Sequence, residues 1–303
     1  MTTPPTAPPP QARGPARHPS RPTGTAPDVE LVVPVHNEAA VLERSIRTLH
    51  SFITRECDFS ARVTIVDNAS TDDTLELAEG LSRELTDVEV LHLARKGRGL
   101  ALRAAWSRSE ATVVAYTDVD LSTDLSALPD LIEPLLDGRG DLAIGSRLAE
   151  GAEVTRGLKR EAISRTYNIL LRVLLDVGFS DAQCGFKAGR RDVVAGLLPS
   201  VENDRWFFDT ELLYLAQRGR FSIREVPVRW VDDPDSRVAI LSTVREDLQG
   251  IARLRRRGPL TPVGGRLDQT GRPVSSAGPR TAPDRRQSAG RRRQVLHSGR
   301  QSS

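Results

Sequence analysis

Four short apolar runs, each followed by an amphipathic stretch, are the feature that most restricts how this chain can fold. Val29-Glu-Leu-Val-Val-Pro-Val35 reads as a buried strand, and Val41, Leu42, Ile46 and Leu49 behind it share one face of a helix. Residues 61–66 form the next strand, and Ser70-Thr-Asp-Asp73 supplies cap chemistry for a helix reaching about Leu85. Strands over 88–93 and 112–117 follow. Between them lies a helix opened by Lys96-Gly-Arg-Gly99 and carrying Leu100, Leu102, Ala105 and Trp106. This β-α-β-α-β-α-β series predicts an α/β domain, a mostly parallel sheet with right-handed crossovers and helices on its faces. No G-x-G-x-x-G follows the first strand and no G-x-x-x-x-G-K-[ST] is present, which disfavours ordinary dinucleotide and P-loop binding.

The second half is less regular. The spacing predicts a helix over about 124–136, a strand over 141–145 and a long helix over 159–177 with Ile163, Tyr167, Leu170, Leu171, Val173 and Leu174 apolar. A loop over 181–187, a helix from Arg205, a strand over 221–230 and an amphipathic helix over 239–256 complete a single domain spanning 28–257. Core packing and seating in a membrane leaflet both account for the apolar face of helix 159–177.

Residues 1–27 are rich in Pro, Thr, Ala and Arg, and 258–303 in Gly, Pro, Ser, Gln and Arg. Neither buries enough apolar surface to offset its ordering entropy, so both are expected to be disordered tails. The tails also carry the positive charge: the chain is +3 overall, whereas residues 28–257 alone are near −7. Basic tails of this kind are either solvated or attracted to an anionic surface, at about 1 kcal/mol per basic residue near an acidic leaflet. Nucleic acid is not expected as a partner, because the core lacks a basic face with interleaved aromatics. Cys57 and Cys184 have no metal-ligand spacing, which fits reduced thiols in the cytoplasm. No stretch has the length and apolarity of a transmembrane helix, so contact with a membrane surface is expected to be peripheral, on its cytoplasmic face. A membrane-protein partner is compatible with that placement.

The chemistry concentrates at strand ends. The run Val113-Val-Ala-Tyr-Thr-Asp118-Val-Asp120 delivers two carboxylates two residues apart, and side chains so spaced on an extended strand point the same way. Hard oxygen ligands of this kind select Mg²⁺ or Mn²⁺. The strand over 61–66 also ends in a carboxylate, Asp67, although Asp67 could simply cap the next helix. Ligands of open α/β sheets bind beyond the carboxyl ends of the strands, so two acidic ends suggest a nucleotide-sugar and metal site. Lys96 and Arg98 sit at a Gly-rich helix start, where backbone N–H groups favour phosphate; solvated surface charge is the competing reading.

Seven motifs in order resemble the family 2 glycosyltransferases, and among them the polyprenyl-phosphate sugar synthases of dolichyl-phosphate glucosyl- and mannosyltransferase type. They are Val33-Pro-Val-His-Asn-Glu38, Val66-Asp-Asn-Ala-Ser-Thr-Asp-Asp-Thr74, Lys96-Gly-Arg-Gly99, Thr117-Asp-Val-Asp-Leu121, Gly145-Ser-Arg147, Asp181-Ala-Gln-Cys-Gly-Phe-Lys187 and Trp206-Phe-Phe-Asp209. His36 stands where the family usually has Tyr. The resemblance implies a GT-A type nucleotide-binding domain, a nucleotide-sugar donor, Mg²⁺ or Mn²⁺, and a polyprenyl (dolichyl) monophosphate acceptor. UDP-glucose is favoured as donor because the last two motifs look more like the glucosyl branch; GDP-mannose is the alternative. Pro34, Glu38, Asp67, Arg98, Asp118, Gln183 and Arg237 are then the expected donor contacts, with Asp118 and Asp120 on the metal. Arg147, Arg160 and Ser164 are the expected acceptor-phosphate contacts. Asp209, whose Trp206-Phe-Phe collar could desolvate it and raise its pKa, would position an acceptor-side cation or act as an auxiliary base. A soluble family member acting on a hydroxyl acceptor, and a non-catalytic nucleotide-sugar binding protein, are the remaining alternatives.

Overall fold

The structure is a computed structural model that describes residues 26–155, 157–231 and 240–256; the side chains of 158–160, 162 and 240–244 are outside that description. The expected tails therefore lie outside the described residues, apart from Ala26 and Pro27, and so does Arg237.

The elements run β1 (Val29–Val35), α1 (Ala39–Glu56), β2 (Ala61–Asn68), α2 (Thr74–Glu84), β3 (Val88–Leu93), α3 (Arg98–Trp106), β4 (Val113–Thr117), α4 (Leu128–Leu136), β5 (Leu142–Ser146), β6 (Glu153–Thr155), α5 (Leu158–Leu175), β7 (Phe186–Arg190), α6 (Arg191–Leu197), α7 (Phe208–Arg218), β8 (Ile223–Pro227), β9 (Arg229–Val231) and α8 (Ile240–Arg256). The main sheet has seven strands in the order β3-β2-β1-β4-β7-β5-β8, and β6 pairs with β9 in a small second sheet. The first four strands are parallel, as the alternating pattern requires. Apolar side chains on the two faces form two cores. One lies under α1, α2 and α4, around Leu42, Ile46, Leu49 and Leu131. The other lies under α3, α6 and α7, around Leu102, Val194, Phe208 and Leu213.

Three departures from the sequence pattern bear on the site. The end of the expected loop over 181–187 is the start of β7, which runs antiparallel between β4 and β5. Its sequence, Phe-Lys-Ala-Gly-Arg, has weak strand propensity, but burial between two neighbours overrides propensity in a central strand. The strand expected over 221–230 is two, since Pro227 lacks an N–H and ends β8 before β9 turns to β6. Finally, α7 begins at Phe208 rather than Arg205, and all its residues from Phe208 to Ala216 are buried.

Candidate active site

The parallel strands β1, β2 and β4 deliver their carboxyl ends to one edge of the sheet. Strand order reverses at β1, which has β2 on one side and β4 on the other, and this is the crevice where open α/β sheets bind ligands. Just beyond these three ends stand three non-glycine residues with positive φ: Asn37 at 57°, Ala69 at 56° and Leu121 at 51°. Such residues cost on the order of 1–3 kcal/mol each and persist only where the surroundings hold them. Here the loops hold one another. Asn37 N–H donates to Ser70 Oγ at 3.0 Å, Thr71 N–H to Asn37 Oδ1 at 2.8 Å, and Glu38 N–H to Thr74 Oγ1 at 2.8 Å. Pro34 and Glu38 flank this mouth, both half-buried, with Glu38 in the N-cap position of α1.

Asp67 lies at the centre of that mouth with no exposed surface. Its Oδ2 accepts from His92 Nδ1 at 2.8 Å and from Ser70 N–H at 3.4 Å, while Oδ1 is buried without a hydrogen-bond partner. Asp67 does not cap α2, because Asp72 accepts the Thr74 N–H there, at 3.1 Å. His36 Nδ1 donates to the Asn68 carbonyl at 2.9 Å and ties β1 to the end of β2.

The two carboxylates of the D-x-D run do not sit on a strand. Strand β4 ends at Thr117, and Leu121 N–H returns to Asp118 O at 3.3 Å, so the pair occupies a turn and the same-face argument does not apply. Asp118 is half-buried, and its N–H donates to Gly185 O at 3.1 Å; Asp120 is exposed and its Oδ1 accepts Ser122 N–H at 3.0 Å. Gly185 permits this closeness, since a Cβ there would lie 1.7 Å from Asp118 Oδ2. Arg98 Nη2 is 2.9 Å from Asp118 Oδ1 and Arg98 Nε is 3.6 Å from Asp209 Oδ2. Among the described residues neither nitrogen makes an aligned hydrogen bond, although both are buried and the contact with Asp118 is an ion pair. The guanidinium lies 5.0 Å from the centroids of both the Tyr116 and Trp206 rings. Burial works against its charge, but Asp118, Tyr116 and Asp209 outweigh that and hold its pKa above the usual range.

Burial also pushes the Asp118 carboxyl above the usual carboxylate range; Asp120 and Asp209 add to this, while Arg98 and Lys187 oppose it. A pair of hard oxygen donors in such an acidic setting fits Mg²⁺ or Mn²⁺, which such sites hold with one or two carboxylates while substrate phosphates complete the coordination. No cluster of three or more acidic, His or Cys ligands occurs among the described residues.

Asp209 is buried at the start of α7. Its Oδ1 accepts the Tyr116 O–H at 2.6 Å and faces Lys187 Nζ at 3.4 Å. Lys187, only 4% exposed, also donates to Tyr116 Oη at 3.1 Å and to the Cys184 carbonyl. The expected phosphate cradle at Lys96-Gly-Arg-Gly99 is differently used. Leu100 N–H donates to Asp204 O at 2.9 Å, and Cβ atoms at Gly97 and Gly99 would strike Asp204 and Phe208. These glycines let α3 approach residues 204–208 closely, and Lys96 is left exposed.

Arg147 sits beside the sheet with its Nε and Nη2 on Asp181 at 2.7 and 2.9 Å, and with the Trp230 ring 5.3 Å away. Ser164 on α5 is buried with its Oγ unpartnered; one turn on, Asn168 Oδ1 accepts Ala182 N–H at 3.1 Å and anchors the same loop. Gln183 is exposed on that loop, and the Arg160 side chain is outside the described set. Thus Asp118, Asp209 and Arg98 meet directly, and Asp67 lies on the neighbouring strand end across β1. Lys187, Tyr116, Asp181 and His92 are structural members of the site that the sequence pattern did not single out for roles. Only the pair of charges in Asp181–Lys187, flanked by small and apolar residues, hinted at two of them.

The family model described as Glycosyl transferase family 2 matches residues 30–198. Glycosyltransferase AglD of Haloferax volcanii is 35% identical over 75% of this chain, which spans 37% of that protein's length. The dolichyl-phosphate beta-glucosyltransferases of Drosophila melanogaster and Mus musculus are 31% and 30% identical, over 70% and 69% of both chains in each comparison. Among solved structures, glucosyl-3-phosphoglycerate synthase from Mycobacterium tuberculosis, bound to Mn²⁺, UDP and glucosyl-3-phosphoglycerate, shares the fold. Its TM-score is 0.51, at 20% identity over 78% of this chain and 86% of that one. The mannosyltransferase PcManGT from Pyrobaculum calidifontis, with GDP-Man and Mn²⁺, has a TM-score of 0.53 at 19% identity over 79% of this chain and 67% of that one.

Proposed function

We propose that this chain, which belongs to glycosyl transferase family 2, moves glucose from UDP-glucose to a polyprenyl monophosphate with inversion at the anomeric carbon. The observation that carries this reading is Arg98: a buried, charged guanidinium beyond the strand ends, 2.9 Å from Asp118 and 3.6 Å from Asp209 but without hydrogen-bond alignment to either. Poorly aligned N–H groups of a buried cation can still gain from well-placed acceptors, and the diphosphate of a nucleotide sugar supplies acceptors of the right charge.

In this reading Asp67 Oδ1 accepts the imide N–H of the base, beside Pro34 and Glu38. Asp118 and Asp120 would hold Mg²⁺ or Mn²⁺, which when bound stabilises negative charge on the departing diphosphate. Gln183, on the loop before β7, and Arg237 would complete the donor site. Arg147, held by Asp181, orients the acceptor phosphate together with Arg160 and Ser164.

The acceptor oxygen attacks the anomeric carbon from the side opposite the diphosphate. The new C–O bond forms as the bond to the diphosphate breaks, and UDP leaves with the electron pair. A monophosphate is already anionic near neutral pH, with a second pKa near 6 by analogy with phosphoserine, so no strong base is required. Asp209 supports that choice of acceptor over a hydroxyl, because Tyr116 and Lys187 already hold its Oδ1 and the Arg98 cation faces its Oδ2 at 3.6 Å. It is a positioning residue for the two cations. The names of the relatives support the lipid acceptor, and a lipid substrate calls for peripheral contact with the cytoplasmic leaflet. No helix among the described residues is long and apolar enough to cross a membrane.

The test is transfer from UDP-glucose or GDP-mannose to polyprenyl phosphate with Mn²⁺ present, using Asp120→Ala as control. Metal-dependent β-linked glucolipid from UDP-glucose is expected. Mannolipid from GDP-mannose would favour the mannosyl alternative. An α-linked product from the α-linked donor would overturn the mechanism, and donor binding without transfer would favour a sensor.

A further inference from the structure

His92 was assigned no role by the sequence pattern, yet it holds half of the carboxylate that the proposed function places against the nucleobase. It is the fifth residue of β3, in register with Asp67 of β2. An ionised carboxylate only accepts, so His92 Nδ1 carries the proton in its 2.8 Å bond to Asp67 Oδ2. Ser70 N–H shares that oxygen at 3.4 Å. Oδ1 is therefore the one carboxylate oxygen without a partner among the described residues, and it is fully buried; in the proposed function it is the acceptor that meets the base. The neighbouring Asn68 Oδ1 is also unpartnered, but adjacent residues of a strand point to opposite faces, so it does not extend the same acceptor row.

Uracil presents one ring N–H between two carbonyl oxygens. Guanine presents a ring N–H and an amino group side by side, an edge that matches both oxygens of one carboxylate. We propose that His92 is a specificity-determining residue: by occupying Asp67 Oδ2 it leaves a single acceptor, and so selects a uracil nucleotide over a guanine nucleotide. The inference rests on the reading that Asp67 faces the base. A guanine bound here would leave one buried donor unsatisfied, which corresponds to roughly 10–100-fold weaker binding.

The test is calorimetric titration of the full chain with UDP and with GDP, Mn²⁺ present in both. The wild-type chain is expected to bind UDP at least about tenfold more tightly. His92→Leu, which frees Oδ2, should narrow that ratio by about tenfold. His92→Asn, whose side-chain N–H can occupy the place of Nδ1, should keep the ratio. His92 is exposed at the end of an edge strand, so both variants are expected to fold. Equal binding of GDP and UDP by the wild type, or an unchanged ratio in His92→Leu, overturns the inference; if Asp67→Ala still abolishes UDP binding, the donor-site reading stands. If Asp67→Ala leaves UDP binding intact, that reading fails and the inference falls with it.

Discussion

The substitution Gly185→Ala tests the site at its tightest point. A methyl there would lie 1.7 Å from Asp118 Oδ2, 2.3 Å from Cγ and 2.8 Å from Oδ1. Non-bonded carbon contacts settle near 3.5 Å, so one partner must retreat by roughly 2 Å. The loop resists, because Gly185 O accepts Asp118 N–H at 3.1 Å and Phe186 pairs with Thr117 at the end of β4. The carboxylate of Asp118 must therefore swing away and leave its 2.9 Å ion pair with Arg98. Overpacking of this kind costs about 1–3 kcal/mol of stability. A misplacement of even 1 Å at reacting groups costs about 10²-fold in rate, or about 2.7 kcal/mol. We expect Gly185→Ala to remain folded by urea denaturation and to lose at least that factor in glucolipid formation. A double-mutant cycle isolates the cause. In an Asp118→Ala background the clashing atoms are gone, so adding Gly185→Ala should cost almost no further stability, giving an interaction energy of about 1–3 kcal/mol. Near-wild-type turnover by Gly185→Ala, or additive stability losses in the cycle, would refute the argument that Gly185 seats Asp118.

Other substitutions probe the rest of the network. Lys187→Met should cost about 3–5 kcal/mol in urea denaturation, because it removes one of the cations facing the buried Asp209 carboxylate. Burial alone would raise the pKa of Asp181, but Arg147 outweighs it and holds the group below the usual range. Its contribution to stability is thus present above the unfolded-state pKa and is lost as pH falls through the lower folded value. Asp181→Asn should be less stable than wild type at pH 7 by a margin that shrinks below about pH 4, and should raise the KM for polyprenyl phosphate about tenfold by releasing Arg147. Asp247 on α8 is pushed up to about 7 by burial, with Glu246 adding. The folded chain then holds a proton that the unfolded chain releases near pH 4, so wild-type stability should fall between about pH 4 and 7 relative to Asp247→Asn, by at most about 4 kcal/mol, in denaturation series across that range.

The regular half of the fold was readable because its periodicities are local. Strands β1 to β4 and the helices between them alternate within about ninety residues, and Asp67 and Asp118 lie where apolar runs stop. Strand β7 was not readable. Phe186 and Ala188 behave as core residues only because β4, β5 and the neighbouring helices enclose them; alone, Phe-Lys-Ala-Gly-Arg carries two charges and a glycine. The same limit hid Lys187, whose partner Tyr116 is seventy-one positions away, and His92, twenty-five positions from Asp67. The glycines of Lys96-Gly-Arg-Gly99 were visible, but their purpose was not, since the atoms they make room for belong to residues 204–208.

Those long-range contacts also explain why the site is built from both halves of the chain. The end of β2 supplies Asp67 and the turn after β4 supplies Asp118 and Asp120, acidic groups that would repel a diphosphate if left to themselves. The later segments bring Lys187 and Asp209 to the same place, and α3, wedged against residues 204–208, brings Arg98. Asp209 separates two cations that would otherwise repel each other, and Tyr116 bridges Asp209 and Lys187 with its hydroxyl. Asp118 and Asp209 then face the two buried cations Arg98 and Lys187, and the exposed Asp120 adds the negative charge that the proposed divalent cation would meet. In the proposed reading the diphosphate would add acceptors beside Arg98, whose pairing with Asp118 and Asp209 is ionic and lacks hydrogen-bond alignment.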